Sequence, residues 1–145
     1  SDAFGLSQLT SPTVALGQAT QGTGGVRPRI YPGGTLAPGS LVFSVRGDRM
    51  VGGAPVYGVL STSEVSVPLF GGPLHAGGPY AIQYLTLASG PLGAPGIGEF
   101  ERVIPVPPIP AITGATFLTQ YVAFDPGASD PSGFVLSGGL RLVGQ

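Results

Sequence analysis

The longest clean β-strand pattern in the chain reads Thr116-Phe-Leu-Thr-Gln-Tyr-Val-Ala-Phe-Asp-Pro-Gly-Ala128. Its β-branched and aromatic residues favour a strand, and the Asp-Pro-Gly at its end is typical of a turn. Alternation divides the strand into two faces, one of Phe117, Thr119, Tyr121 and Ala123 and one of Leu118, Gln120, Val122 and Phe124. Because both faces are largely apolar, we expect a central strand covered on one face by an opposing sheet and on the other by loops or another subunit.

The rest of the chain also indicates short strands. Its 145 residues include 26 Gly and 16 Pro, dispersed so that long helices have little room. Between them, β-type apolar runs recur at intervals of about 10–15 residues, as they do in sandwiches and barrels. We therefore predict one all-β domain, an antiparallel β-sandwich of about seven or eight strands. In this prediction residues 71–79 form a loop, and the proline-rich run at 103–112 forms a crossover between strands.

The composition restricts the partners of the chain. Charged residues make up only 9% of it, against about 25% in typical soluble domains. The net charge of −1 offers no attraction for nucleic acid, and no apolar run reaches the ~18 residues that a membrane span needs. The absence of Cys removes thiolate catalysis and disulfides. Since solubility usually relies on charge, a surface this poor in charge favours association with copies of the same chain.

The first 25 residues are predicted to form an N-terminal arm, and residues 26–145 the sandwich. Residues 21–25, Gln-Gly-Thr-Gly-Gly, have the composition of a flexible hinge. The arm carries the residues that we predict at a subunit interface: Phe4, Leu6, Leu9, Val14 and Leu16. As a donor strand it pairs either with its own sheet or with that of a neighbouring subunit, where backbone hydrogen bonds supply affinity. We expect the arm to cross to the neighbour.

The start of the chain suggests a compartment. It begins at Ser1 without an initiator Met, which we interpret as the mark of a removed leader, and we therefore expect an exported protein. A trimmed chain is the alternative. The absence of Cys is compatible with either compartment.

Catalytic groups are scarce in the sequence. His75 is the single His, and without a Gly-x-Ser-x-Gly motif it is better explained as a loop residue than as the base of a Ser-His-Asp triad. Glu99 and Glu101 share one face of a predicted strand, at a spacing that a glycosidase pair could use, although a solvated strand face explains them more simply. We expect no enzymatic activity and no cofactor.

Three further motifs suggest ligands. Residues 125–132 offer the oxygen ligands that Ca²⁺ prefers, which makes Asp125 and Asp130 weak metal candidates, while an Asp-capped turn is the simpler interpretation. Arg46-Gly47-Asp48 matches the tripeptide that integrins bind, at a position where we predict a hairpin turn. Four tyrosines either belong to the core or form an aromatic face for a glycan: Tyr57, Tyr80, Tyr84 and Tyr121.

Four segments carry a likeness to a known family. They are Tyr57-Gly-Val-Leu-Ser61, Val67-Pro-Leu-Phe-Gly-Gly-Pro-Leu74, residues 116–128 with the internal Gln120, and Val135-Leu-Ser-Gly-Gly-Leu-Arg-Leu142. Together they resemble a secreted β-sandwich domain that recurs in planctomycete-type bacterial extracellular proteins. The likeness covers roughly residues 27–145, and the chain lacks the Cys that the family's loop often carries. It implies a secreted sandwich and carries little chemistry.

These observations lead to two functional hypotheses. The first is a non-enzymatic extracellular structural protein, whose subunits assemble with copies of themselves into a filament or surface layer by β-strand addition. The second is a secreted module that binds carbohydrate or a cell surface. The low charge and the arm favour the first, because a glycan module needs neither.

Overall fold

A computed structural model describes residues 13–145 of the chain. Within these residues nine strands form two antiparallel sheets, which confirms the predicted all-β sandwich architecture. The strands are β1 Thr13–Leu16, β2 Arg29–Gly33, β3 Ser44–Met50, β4 Pro55–Leu69, β5 Gly72–Leu87, β6 Gly98–Val103, β7 Thr116–Phe124, β8 Phe134–Leu136 and β9 Gly139–Val143. Two short 3-10 turns lie at Thr23–Gly25 and Pro110–Ile112.

The large sheet has the order β1-β9-β7-β4-β5, and β8 also pairs with β7. Strand β7 is therefore central, as its two apolar faces predict: β4 pairs with one edge, while β8 and β9 lie in line along the other. The predicted last strand is divided between β8 and β9. At the break, the Ser137 hydroxyl accepts a hydrogen bond from the Tyr121 N–H (3.0 Å) and donates one to the Gly138 carbonyl (2.8 Å).

The small sheet, in the order β2-β3-β6, covers the inner face of the large sheet. Three aromatic side chains meet between them, with Phe100 edge-on to Tyr121 (centroids 5.0 Å apart) and tilted against Tyr84 (6.1 Å). Glycines make this contact possible. A Cβ at Gly58 would lie 2.0 Å from the Tyr84 ring, and one at Gly47 would lie 2.4 Å from Phe100. A side chain at position 47 or 58 would therefore occupy the space that these aromatic rings fill.

The proline-rich run after β6 connects the two sheets, as predicted. Ile104 and Val106 are buried in a second core cluster with residues of both sheets, including Val45 of β3 and Leu142 of β9. Proline supports this extended path because it fixes φ and has no N–H to satisfy.

The prediction of a loop at residues 71–79 was wrong, because β5 begins at Gly72. Register shifts after Leu60 and again between Glu64 and Val67 bend the β4–β5 hairpin. Its outer half, residues 63–77, folds back over the outer face of the large sheet, and we call it the flap. Glycine hid this strand in the sequence, yet Gly77 is required by packing, since a Cβ there would lie 2.6 Å from Val65 Cγ1.

The Arg46-Gly47-Asp48 motif also lies in a strand, which corrects the predicted turn. It is part of β3, which has a register shift beyond Gly47. Arg29 contacts Asp48 through two hydrogen bonds (2.6 and 2.8 Å), and Arg46 contacts Glu101 (2.8 Å). The charged groups of the motif are thus paired within the small sheet and are not presented on a loop.

The two buried tyrosines give a matched test of the inner core. Burial raises the pKa of both phenols. The Tyr121 hydroxyl donates to the Arg29 carbonyl (2.6 Å), whereas the buried Tyr84 hydroxyl has no partner within residues 13–145. Tyr121→Phe should lower the free energy of unfolding by about 1 kcal/mol, while Tyr84→Phe should leave it unchanged or raise it. Urea unfolding followed by circular dichroism measures both, and equal losses would contradict this account of the core.

Candidate functional site

The flap and the outer face of the large sheet enclose an apolar cleft of about 380 Å³. The sheet contributes its floor: Tyr57, Val59, Gln120, Val122, Phe134 and Leu136. The flap and the strand below it contribute the wall: Leu69, Phe70, Leu74 and Tyr80. Apart from the amide of Gln120 and the tyrosine hydroxyls, this lining is apolar, and its volume lies in the lower range of ligand pockets.

Gln120 attaches the flap to the sheet. Its side chain is 1% exposed, and both ends of its amide are used. The Oε1 atom accepts a hydrogen bond from the His75 N–H (2.8 Å), while Nε2 donates to the carbonyls of Pro73 (3.0 Å) and Ser137 (2.7 Å). A buried amide with matched donors and acceptors avoids the cost of an unpaired polar group, so this side chain specifies one position of the flap.

An ion pair makes a second attachment between flap and sheet. Arg141 of β9 donates two hydrogen bonds to the Glu64 carboxylate, each 2.9 Å long. The guanidinium lowers the pKa of Glu64, chiefly through these hydrogen bonds. Both side chains are over a third exposed, so solvent screens the pair, and it orients the flap more than it stabilises the fold.

An aromatic cluster closes the far end of the flap. Phe70, at its tip, stacks on Phe134 of β8 with ring centroids 5.1 Å apart. Phe134 in turn meets Phe124 of β7 edge-on at 5.6 Å. The flap is thus held at both ends, and the cleft lies under its outer part, beside the tip.

An exposed apolar strip continues from the cleft along the outer face. Tyr57 of the cleft pairs in register with Leu85 of β5, which places both on this face. Leu85 is 73% exposed, Leu87 is 68% exposed and Phe124 is 41% exposed. Large apolar side chains that are open to solvent on one face of a sheet are candidates for an interaction surface.

The four tyrosines do not form a single aromatic face, which was one of the two alternatives from the sequence. Tyr84 and Tyr121 are buried between the sheets, whereas Tyr57 and Tyr80 lie on the other side of the large sheet, in the cleft. Alternation shows which residues of one strand share a face. It does not show whether that face turns toward the small sheet or away from it, because this depends on how the strands and sheets come together.

The residues that we weighed as catalytic candidates lie on different sheets and form no common site. His75 belongs to the flap, with its ring against Gly17 and Gly139, and its Nε2 has no hydrogen-bond partner within residues 13–145. Glu101 accepts hydrogen bonds from the Ser44 hydroxyl and the Arg46 guanidinium (both 2.8 Å), and these lower its pKa. A carboxylate stabilised in its charged form is a poor general acid, and Glu99 beside it is exposed.

Asp125 and Asp130 are engaged in turns. The Asp125 carboxylate is buried and accepts hydrogen bonds from the Thr23 N–H (2.8 Å), the Thr23 hydroxyl (2.5 Å) and the Gly127 N–H (2.8 Å). Asp130 accepts one from the Ser132 N–H (3.0 Å). Among the described residues no group of three His, Asp or Glu side chains is arranged to hold a metal ion. The turn is therefore the better interpretation of this segment.

Residues 13–25 of the predicted arm lie against the sandwich. Strand β1 pairs with β9 of the same chain, from Thr13 opposite Leu142 to Leu16 opposite Gly139. Leu16 packs beside Leu118 on the outer face, while Val14 remains 40% exposed. The predicted hinge is anchored through Thr23 to Asp125. Phe4, Leu6 and Leu9 lie outside the described residues, and their place at an interface stays a prediction.

The sequence reasoning missed the flap side of the cleft. The sequence indicates an extended edge segment at residues 65–70, which agrees with the end of β4, but a loop at 71–79, which contains Leu74. The apolar outer face of β7 was a usable sign, because it required a cover.

Comparisons with known proteins give no assignment. No protein-family model, curated protein or solved structure matches the chain. The likeness to the planctomycete-type family therefore stays a prediction. No helix within the described part of the chain is long and apolar enough to cross a membrane.

The role of Gln120 can be tested by Gln120→Leu. This change leaves the His75 N–H and the Pro73 and Ser137 carbonyls without their partner, so we expect a loss of at least about 2 kcal/mol in the free energy of unfolding. Hydrogen exchange at the His75 amide should become faster. Gln83→Leu is the matched control, because Gln83 is exposed and accepts only the Tyr57 hydroxyl. Full protection of the His75 amide in Gln120→Leu would contradict this role.

The role of Asp125 can be tested against Ca²⁺ binding. Asp125→Ala removes three hydrogen bonds to a buried charge, and we expect it to cost about 2–3 kcal/mol of stability. Asp130→Ala, which removes a single turn hydrogen bond, should cost far less. Adding Ca²⁺ should leave the Tm of the unmodified chain unchanged, as calorimetry can show. A rise in Tm with Ca²⁺ that disappears in Asp125→Ala would restore the metal site.

Proposed function

We propose that the chain is a non-enzymatic structural subunit that acts outside the cell and assembles with copies of itself, into a filament or surface layer, through its N-terminal arm. The observation that carries the proposal is the exposed apolar strip beside the cleft. Leu85 and Leu87 lie open on the outer face of the large sheet, and Phe124, which packs edge-on against Phe134, is still 41% exposed there. Their burial in an assembly would be favourable, at about 25 cal/mol per Å² of apolar surface.

The arrangement of charge supports association. Three of the six arginines form ion pairs within the chain, Arg29 with Asp48, Arg46 with Glu101 and Arg141 with Glu64. A fourth, Arg102, lies over the Tyr84 ring at 5.7 Å. Because three of the six arginines are balanced by carboxylates and the net charge is −1, little electrostatic repulsion remains to keep copies of the chain apart.

The arm supplies the means of attachment in this proposal. Because β1 pairs with its own sheet, we assign the crossing between subunits to residues 1–12, which include Phe4, Leu6 and Leu9. Val14 and Leu16 then remain in their own subunit. An extended segment of this kind adds to another subunit through backbone hydrogen bonds and apolar anchors. The extracellular location follows the family resemblance and belongs to the same proposal.

The second hypothesis, a glycan-binding module, has less support. Sugar binding needs hydrogen-bonding groups beside the aromatic rings, and the amide of Gln120 is already engaged on both its atoms. The dispersal of the four tyrosines removes the aromatic platform on which this hypothesis depended. We therefore retain self-assembly.

Substitutions in the arm test the proposal. Replacing Phe4, Leu6 and Leu9 by Ser removes the apolar anchors, and we expect assemblies of the full chain to become monomers or far smaller particles. Multi-angle light scattering and electron microscopy measure the outcome. Replacing Ser1, Ser7 and Ser11 by Ala is the matched control, because it changes the same segment without removing an anchor. If the purified, unmodified chain is a monomer at every concentration accessible to scattering, the proposal fails.

A further inference from the structure

We infer that the cleft beneath the flap is the receptor for the N-terminal segment of a second copy of the chain, with Phe4 and Leu6 as its occupants. The inference rests on the proposed function, because it names the surface to which the arm of that proposal binds. It also gives the assembly a direction.

The chemistry of the segment matches that of the cleft. Residues 1–12 contain a single charged residue, Asp2, and three large apolar residues. In an extended segment Phe4 and Leu6 project from the same side and Leu9 from the other. A strand that lies along the exposed strip would therefore direct two neighbouring apolar side chains into an apolar cavity.

The size of the cleft is suitable for these two side chains. Its volume of about 380 Å³ equals that of roughly a dozen water molecules in the liquid. A phenyl ring and an isobutyl group together need a space of this order. The cavity is too apolar to hold ordered water well, since waters in proteins need two or more polar partners, so filling it with side chains is favourable.

The direction of β1 excludes the simplest path of the segment into its own cleft. Thr13 pairs with Leu142, which pairs with Phe117, whereas the floor of the cleft extends from Gln120 to Val122, about 10–17 Å further along β7. Strand β1 thus begins at the Phe117 end of the sheet, and from Thr13 to Leu16 its direction is toward the level of the cleft.

The flap adds a second obstacle to binding within one chain. The pair of Glu64 on the flap and Arg141 on β9 lies beside β1, between Thr13 and the cleft, and it obstructs access from that side. A neighbouring copy presents its cleft without this obstruction.

The separation of segment and cleft determines the kind of assembly. The start of β1 lies toward one end of the large sheet and the cleft toward the other, so a segment that joins the two surfaces of neighbouring copies connects them head to tail. Contacts of this type join two different surfaces, and they generate open filaments, or rings where the rotation closes. This geometry agrees with the filament of the proposed function.

Cysteine cross-linking in the full chain tests the inference, because the natural chain has no Cys. We expect Phe4→Cys combined with Leu74→Cys to form a ladder of disulfide-linked oligomers on mild oxidation. Phe4→Cys combined with Val103→Cys is the control, since Val103 is exposed on the small sheet. The first pair should cross-link at least about tenfold faster, because a docked segment has a millimolar effective concentration.

A second measurement keeps Phe4 intact. Labelling Leu74→Cys with a naphthyl maleimide fills the cleft and should abolish assembly, whereas the same label on Val103→Cys should not.

A monomer with an internal disulfide in the first experiment would show that the segment binds its own cleft, which overturns the inference. Two results together would show that the cleft is not the receptor: the chain labelled at residue 74 still assembles, and the Phe4–Leu74 cysteine pair cross-links no faster than the control pair. The proposed function would be unaffected by these results. If the unmodified chain does not assemble, the proposed function itself fails.

Discussion

The amide of Gln120 is the constraint on which the outer half of this molecule depends. It lies on the central strand β7 and connects the flap at Pro73 and His75 to the β8–β9 break at Ser137. A hydrogen bond is directional, so a buried amide with all three partners specifies where the flap lies, which apolar packing alone does not. The cleft exists because the flap is held at this distance from the sheet.

The two faces of β7 are covered in different ways. The inner face packs against the small sheet with Tyr121 and Phe100 in contact, and Gly47 admits the rings to close range. The flap covers only part of the outer face of the large sheet, and Leu85 and Leu87 of β5, on the far side of β4 from β7, remain exposed on that face. Because the two sheets pack through the inner face of the large sheet, its outer face can contact another molecule. The proposed assembly uses the outer face in this way.

Much of the sandwich follows from short-range patterns in the sequence. The alternation in residues 116–124 predicts a central strand because period-two apolar residues on both faces require two covers. The Asp-Pro-Gly at 125–127 predicts a turn because Asp caps the backbone, as the Asp125 contact with the Gly127 N–H shows. The Gly138-Gly139 pair, which suggests a bulge in the sequence, lies at the break between β8 and β9. These features are local, so a single chain segment contains the information for them.

The sequence by itself thus determined the strand class, the central position of β7 and the turn that ends it, because local sterics and alternation control all three. Only the tertiary structure decided the place of the flap, since Gly and Pro at residues 71–79 adopt either a loop or a strand and the choice depends on contacts with Gln120 and Val65. It also separated Tyr57 from Tyr121, because alternation relates residues along one strand, while the side that becomes the core is chosen by the packing of the two sheets. The cleft is a product of that choice: its floor and its wall are distant in sequence and meet only when the hairpin bends.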